Sequence, residues 1–179
     1  MKKRVLILSS SPRRHGNSDR LCDEFLRGAQ EAGHDAEKIF LKSRRIGYCT
    51  GCGVCYNGAN PCPQRDDAAA VVAKMIEADV IVMATPVYFY TMSAQMKTLI
   101  DRCCARYTEM TGKEFYFIVT AADDSTAAME RTIDGFRGFL DCLDAPRECG
   151  VIYGVGAWKV GEIEGKPAVK QAYDAGRNC

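Results

Sequence analysis

The chain has 179 residues, 47% of them apolar and 26% charged, with a formal net charge of +1. That length suits one domain, the apolar share excludes a disordered chain, and the charge balance excludes a nucleic-acid partner held by bulk charge. No segment offers the ~20 apolar residues of a membrane span. The apolar run 5–8 after Met1-Lys2-Lys3-Arg4 is too short for a signal-peptide core, so a cytoplasmic protein with no membrane partner is expected.

The predicted elements alternate. Residues 5–9 form a short apolar strand bounded by Ser and Pro. Residues 17–32 carry Leu21, Phe25, Leu26 and Ala29 at helical spacing, with Gly33 as the stop. Residues 36–41 are a weak second strand. Residues 42–65 have no period and hold Gly, Pro and Cys clusters, a long loop of the kind usually kept for function. A helix opens at Asp66-Asp67 and runs through Glu77, acidic where the helix dipole favours it. A strand over 79–84, a Pro- and aromatic-rich loop over 85–91 and a helix over 92–106 follow. The remaining elements are a strand over 115–120, a helix over 125–143 capped by Ser125, a strand over 148–153 and a helix over 167–175.

Five strand–helix units predict one α/β domain over 1–179, a mostly parallel doubly wound sheet with helices on both faces. Ligands then bind at the carboxyl ends of the strands. The loops to watch are 9–18, 85–91 and 121–125. The first reads Ser9-Ser10-Ser11-Pro12-Arg13-Arg14-His15-Gly16-Asn17-Ser18 and ends in a helix N-terminus, a ready site for an anion. It lacks the dinucleotide glycine pattern and the Walker lysine, so a phosphate monoester fits better, although a plain helix cap and serine turn account for it too. Thr85-Pro86-Val87-Tyr88-Phe89-Tyr90-Thr91 sets three aromatics beyond a buried strand. They suit a flat ring or ordinary packing.

Cys49, Cys52, Cys55 and Cys62 are spaced x2, x2 and x6, with Pro63 following. Three thiolates two residues apart suit a cubane cluster. Structural zinc usually draws on two separated pairs. Cluster, zinc and bare thiols all stay open on spacing. Of the other cysteines, Cys22, Cys103 and Cys104 read as core or near-core, Cys142 and Cys149 flank the last strand's start, and Cys179 reads as exposed.

Four pieces in this order resemble the flavodoxin-like family of NADPH-dependent FMN reductases and iron–sulfur flavoproteins. They are Ser10-Ser11-Pro12-Arg13 with Gly16-Asn17-Ser18, then Cys49 to Cys62 with Asp66-Asp67, then Thr85-Pro86-Val87-Tyr88, then Lys97 with Ile100-Asp101-Arg102. The family usually has Gly where this chain has Ser10. The resemblance covers nearly the whole chain and weakens after about Asp144. It implies a five-stranded sheet of order 2-1-3-4-5. It also implies FMN, with its phosphate on Ser11, Arg13, Asn17 and Ser18 beyond Ser9, and its ring on Thr85, Pro86, Val87, Tyr88 and Phe89. Ala121 and Ala122 would approach from the other side. A [4Fe–4S] cluster would sit on Cys49, Cys52, Cys55 and Cys62. Lys97, Asp101 and Arg102 read as helix-surface or packing residues.

The expected activity is FMN-dependent electron transfer from NAD(P)H or a ferredoxin-type donor to a small acceptor such as a flavin or quinone. No protein side chain is needed as acid or base. A homodimer or homotetramer is implied by the resemblance alone. The rivals are an electron carrier without turnover, which the +1 charge disfavours, and a flavin-free redox or metal sensor built on the cysteine loop.

Overall fold

The computed structural model describes residues 1–56 and 60–179. The strands are β1 (Arg4–Ser9), β2 (Asp35–Phe40), β3 (Val80–Tyr88), β4 (Thr91–Met92), β5 (Glu114–Thr120) and β6 (Arg147–Gly154). The helices are α1 (Asn17–Glu31), α2 (Ala68–Glu77), α3 (Ala94–Arg102), α4 (Glu130–Leu140) and α5 (Pro167–Asn178). β2-β1-β3-β5-β6 pair in parallel, and the two-residue β4 pairs antiparallel with β3. The expected 2-1-3-4-5 order therefore holds for the parallel sheet, with a sixth short strand added.

Continuous apolar strands need cover on both faces, and they have it. Successive side chains point to opposite sides. Leu6, Leu8, Ile81, Met83 and Phe117 pack with α2, α3 and α4, where Phe117 stacks on Phe136 at 4.8 Å between ring centroids. Val5, Ile7, Val80, Val82 and Ile118 face α1 and α5. These two helices cross with backbones in contact. A Cβ on Gly28 would lie 2.1 Å from the Tyr173 carbonyl oxygen, and one on Gly176 2.1 Å from that of Phe25.

Three predicted boundaries are corrected. Thr85 to Tyr88 are not loop but the end of β3, because a turn at Phe89-Tyr90 returns the chain as β4. The helix predicted over 92–106 is α-helical only to Arg102 and then tightens into 3-10 turns. The one over 125–143 starts as a 3-10 turn, capped by Ser125, whose hydroxyl accepts from the Ala127 amide. Among the described residues, no helix is long and apolar enough to cross a membrane.

Candidate functional site

β1 and β3 are neighbours in register, with Ser9 opposite Ala84, so the loops leaving their carboxyl ends start side by side. Hydrogen bonds then lace them together. The Ser10 amide and hydroxyl both donate to the Ala84 carbonyl, at 3.0 and 2.8 Å, and the Ser93 hydroxyl donates to the Ser10 carbonyl at 3.1 Å. Ser93 is the N-cap of α3, and its own amide donates to Thr85 Oγ1 at 2.9 Å. One shelf thus joins the 9–18 loop, the β3–β4 hairpin and the start of α3. Ser10, which stands where a glycine was expected, is one of its fasteners.

Within the 9–18 loop most hydroxyls are already committed. Ser9 Oγ donates to Asp19 Oδ1 at 2.7 Å, and Ser11 Oγ donates to the Arg13 carbonyl at 2.7 Å. Gly16 caps α1. A Cβ there would stand 2.7 Å from Ser11 Oγ, so the tight loop requires glycine. The Ser18 hydroxyl is different. It is 1% exposed, sits in the first turn of α1, and has no partner among the described residues. A buried hydroxyl without a partner costs about 1–3 kcal/mol, a penalty that an arriving acceptor relieves. It stands among the free amides of a helix N-terminus, where an anion is favoured.

The Asp19 carboxylate, 2% exposed, ties this loop down. Its Oδ2 accepts from the amide of His15, a residue held at φ 57°. Burial alone would push the Asp19 carboxyl up, but the Ser9 hydroxyl, the Lys38 ammonium and the His15 amide hold it below the ordinary value. Lys38 also pairs with Asp23.

Asn17 and Arg13 use their side chains in a way the sequence did not signal. Asn17 Nδ2 donates to the carbonyls of Ala157 and Lys159, each at 3.0 Å, and Arg13 Nη2 donates to that of Trp158 at 3.1 Å. The segment after β6 therefore buckles onto the anion loop. Backbone carbonyls of residues 157–159 carry no side-chain signature, and no motif could have named them. The Asn17 Oδ1 is left buried without a partner among the described residues.

On the ring side, Thr85 and Pro86 are buried, Val87 is half-buried, and Tyr88 and Phe89 are exposed. Phe89 and Tyr90 both have positive φ, 49° and 65°, a two-residue turn that usually takes Asn-Gly. Two aromatics in that conformation are strained, and such strain gathers at ligand sites. Ala121 follows β5 and is pinned by its amide to the Gly154 carbonyl and by its own carbonyl to the Ala157 amide; Ala122 beside it is exposed. The predicted flavin-contact residues thus lie at the carboxyl ends of β1, β3 and β5, in the loops that leave them, or, for Asn17 and Ser18, in the first turn of α1. A cavity of about 650 Å3 lies instead on the open flank of β6 and α5, away from these ends.

The cysteine segment lies at the other end of α3. Cys49 and Cys52 are exposed and Cys55 and Cys62 half-buried. Gly51 and Gly53, at φ 64° and 72°, let the backbone curl between them. Burial first, then the neighbouring sulfurs of Cys104 and Cys62, push the Cys55 thiol up. Cys62 Sγ accepts from Arg102 Nη2 at 3.4 Å. Cys49, Cys104 and Cys142 border one cavity of about 480 Å3 between α3 and α4. Four soft thiol donors on a glycine-curled loop fit an iron–sulfur cluster by the chemistry of the donor set.

Two cysteine expectations are corrected. Cys104 is exposed, because α3 has given way to a 3-10 turn, and Cys179 is buried, its Sγ donating to the Gly176 carbonyl at 3.1 Å. Cys103 is core, and burial lifts its thiol to about 12, so it is inert. Lys97 and Asp101 form a surface pair, as expected, while Arg102 turns inward onto the cysteine loop.

Residues 3–153 match the family model described as NADPH-dependent FMN reductase. An iron–sulfur flavoprotein of Archaeoglobus fulgidus is 42% identical over 100 residues, 56% of this chain and 44% of that one. Another from Methanocaldococcus jannaschii is 40% identical over 99 residues, 55% of this chain and 51% of that one. The matched stretch thus spans about half the length of these curated relatives. Among solved structures, an NAD(P)H:quinone oxidoreductase from Methanothermobacter marburgensis superposes with a TM-score of 0.76 at 19% identity, over 99% of this chain and 96% of that one. That likeness establishes the flavodoxin-like fold, and the family model establishes kinship: the chain belongs to the NADPH-dependent FMN reductase family.

Proposed function

We propose that the protein is an FMN-dependent oxidoreductase that passes electrons from NAD(P)H, or from a ferredoxin-type donor, to a small acceptor such as a flavin or quinone. The observation that carries this is the Ser18 hydroxyl at the mouth of β1, buried and without a partner among the described residues, beside a loop that Ser10 and Ser93 hydrogen-bond to β3 and to the start of α3, next to a strained aromatic hairpin. Bound FMN supplies hydride or single-electron transfer at its ring.

The chain's own residues bind and orient. Ser18 would donate its hydroxyl to the phosphate, beside the first amides of α1. Ser11 shapes the loop through Arg13, and Asp19 fixes it through His15 and Ser9. Asn17 and Arg13 close the far wall by holding residues 157–159, and Arg13 adds positive charge. Thr85, Pro86, Val87, Tyr88 and Phe89 would give the ring a rigid flank, and Ala121 and Ala122 would leave room opposite. Cys49, Cys52, Cys55 and Cys62 would hold a [4Fe–4S] cluster, which carries single electrons. The protein is read as cytoplasmic and at least dimeric.

The test is an absorbance spectrum with iron and acid-labile sulfide assays on anaerobically purified protein, followed by titration with FMN. A flavin band with stoichiometric FMN uptake is expected, together with iron and sulfide near four each. A colourless chain that takes up no FMN refutes the flavin reading. Flavin without iron or sulfide refutes the cluster alone.

A further inference from the structure

Arg102 ends α3 with its side chain 2% exposed, beside Asp66, which is 14% exposed. A guanidinium has five N–H donors. Nη1 donates to the Gly47 carbonyl at 2.7 Å and to Asp66 Oδ2 at 2.6 Å, with Gln64 Oε1 at 3.3 Å. Nη2 donates to Asp66 Oδ1 at 3.0 Å and to Cys62 Sγ at 3.4 Å. The fifth donor, Nε–H, is buried with no partner among the described residues. In a planar guanidinium, Nε–H and the outer Nη2–H lie on one edge. That edge is the side-on fork with which arginine grips an anion at two points. Here half the fork rests on the sulfur of Cys62 and half is vacant.

The remaining contacts explain why the group is there at all. Asp66 also accepts from the amides of Gly47 and Ala68 at 2.9 and 3.0 Å. One guanidinium therefore ties the start of the cysteine loop, its end and the first turn of α2 into a single knot. A buried ion pair is a poor source of stability by itself, since desolvation offsets most of its attraction. Its use is to fix geometry and field at the sulfur it touches.

We propose that Arg102 is the positioning residue of the four-cysteine centre, holding Cys62 from its Nη2 and presenting Nε–H to a further anionic sulfur, and that its charge raises the centre's reduction potential. The inference rests on the cluster reading above. Hydrogen bonds to cluster sulfurs and nearby positive charge favour the more negative, reduced form. Asp66 acts in the opposite sense, because its charge partly cancels that of Arg102.

Anaerobically reconstituted wild type, R102K, R102Q and D66N are assayed for iron and sulfide, and each cluster's midpoint potential is measured by EPR-monitored reductive titration. R102Q is expected to lower the reduced-to-oxidised ratio at fixed ambient potential at least tenfold, about 59 mV for one electron. R102K, which keeps the charge and loses the fork, falls between R102Q and wild type. D66N moves the other way, a pair of opposite signs that mere loosening of the loop does not produce. Cluster-bearing variants within threefold of wild type overturn the inference. Should R102Q lose its iron, R102K below wild type together with D66N above it upholds the inference, and any other order overturns it. A wild-type chain that takes up no iron and sulfide overturns the cluster reading itself, and the inference with it.

Discussion

Replacing the hairpin tip, F89N with Y90G, should make the apoprotein more stable and the flavin complex weaker. Both residues sit in the left-handed region, which costs a side-chain-bearing residue ~1–2 kcal/mol each. Asn and Gly adopt it with little or no penalty. Phe89 is 101% exposed, so its removal forfeits no burial. Tyr90 is 56% exposed, and the Arg131 guanidinium lies 5.4 Å from its ring centroid, an exposed cation–π contact of ~0.5–1 kcal/mol. Glycine at 90 adds ~0.5–1 kcal/mol of backbone entropy to the cost. The balance is a gain of about 1.5 kcal/mol, or roughly 3–6 °C in Tm for a chain of this size. The hairpin backbone, including the Tyr90 carbonyl that accepts from Thr132 Oγ1, is unchanged by the swap. FMN affinity should fall about 3–10-fold, the worth of one aromatic contact. Thermal unfolding of the apoprotein and fluorescence titration with FMN read the two effects separately. A lower Tm with unchanged FMN affinity would refute the argument, because the aromatics would then be serving the fold and not a ligand.

S18A removes a buried hydroxyl that has no partner among the described residues, so apoprotein stability should hold or rise by up to ~1 kcal/mol, while FMN binding weakens roughly tenfold through a lost bond to a charged phosphate. Chemical denaturation and FMN titration distinguish this from a structural serine, whose loss would lower both. D19N should destabilise the protein by roughly 3 kcal/mol at neutral pH, since it leaves the Lys38 ammonium without its buried counter-charge and turns one of the two oxygens that accept from Ser9, Lys38 and the His15 amide into a donor. The Asp19 carboxyl titrates below its unfolded value, so its contribution is complete above about pH 4 and vanishes as pH falls further. Urea midpoints of wild type and D19N should therefore converge below pH 4; a constant gap would show that the charge is not what matters. G28A places a methyl 2.1 Å from the Tyr173 carbonyl oxygen and should cost ~1–3 kcal/mol by driving α5 off α1, whereas G138A, with open space around it, should not destabilise.

The layered sheet was legible because both of its faces are covered. Strands such as residues 80–83 read as unbroken apolar runs, and helices as single apolar faces, so the alternation of strand and helix along the chain followed from periodicity, while the order of strands in the sheet came from the family resemblance. The loops at the strand ends were legible as a ligand shelf for the same topological reason. What stayed hidden depends on long-range contact. Phe89-Tyr90 does not look like a hairpin turn, since nothing local favours positive φ there, and its strain is supported by the pairing of β3 with β4 and by contacts from Arg131 and Thr132 on α4. Asn17 and Arg13 looked like phosphate ligands, yet their side chains reach 140 or more residues along the chain to carbonyls that have no sequence signature. Lys97, Asp101 and Arg102 read as helix-surface or packing residues without division between the two; the 3.6-residue period turns Lys97 and Asp101 outward and swings Arg102 in toward Asp66.

That inward turn has a consequence for how the two loops act together. α3 begins at Ser93, bonded to Ser10 in the anion loop, and ends at Arg102, bonded to Cys62 in the cysteine loop. Nine helical residues fix that separation at about 13 Å of rise. Met96 and Leu99, both 0% exposed, lock the helix to the sheet, so neither end slides without opening the core. Two loops on flexible connections would vary in spacing from one molecule to the next. Loops anchored to opposite ends of one buried helix do not, and a fixed spacing is what the proposed electron transfer between a centre in one loop and a ring beside the other would require.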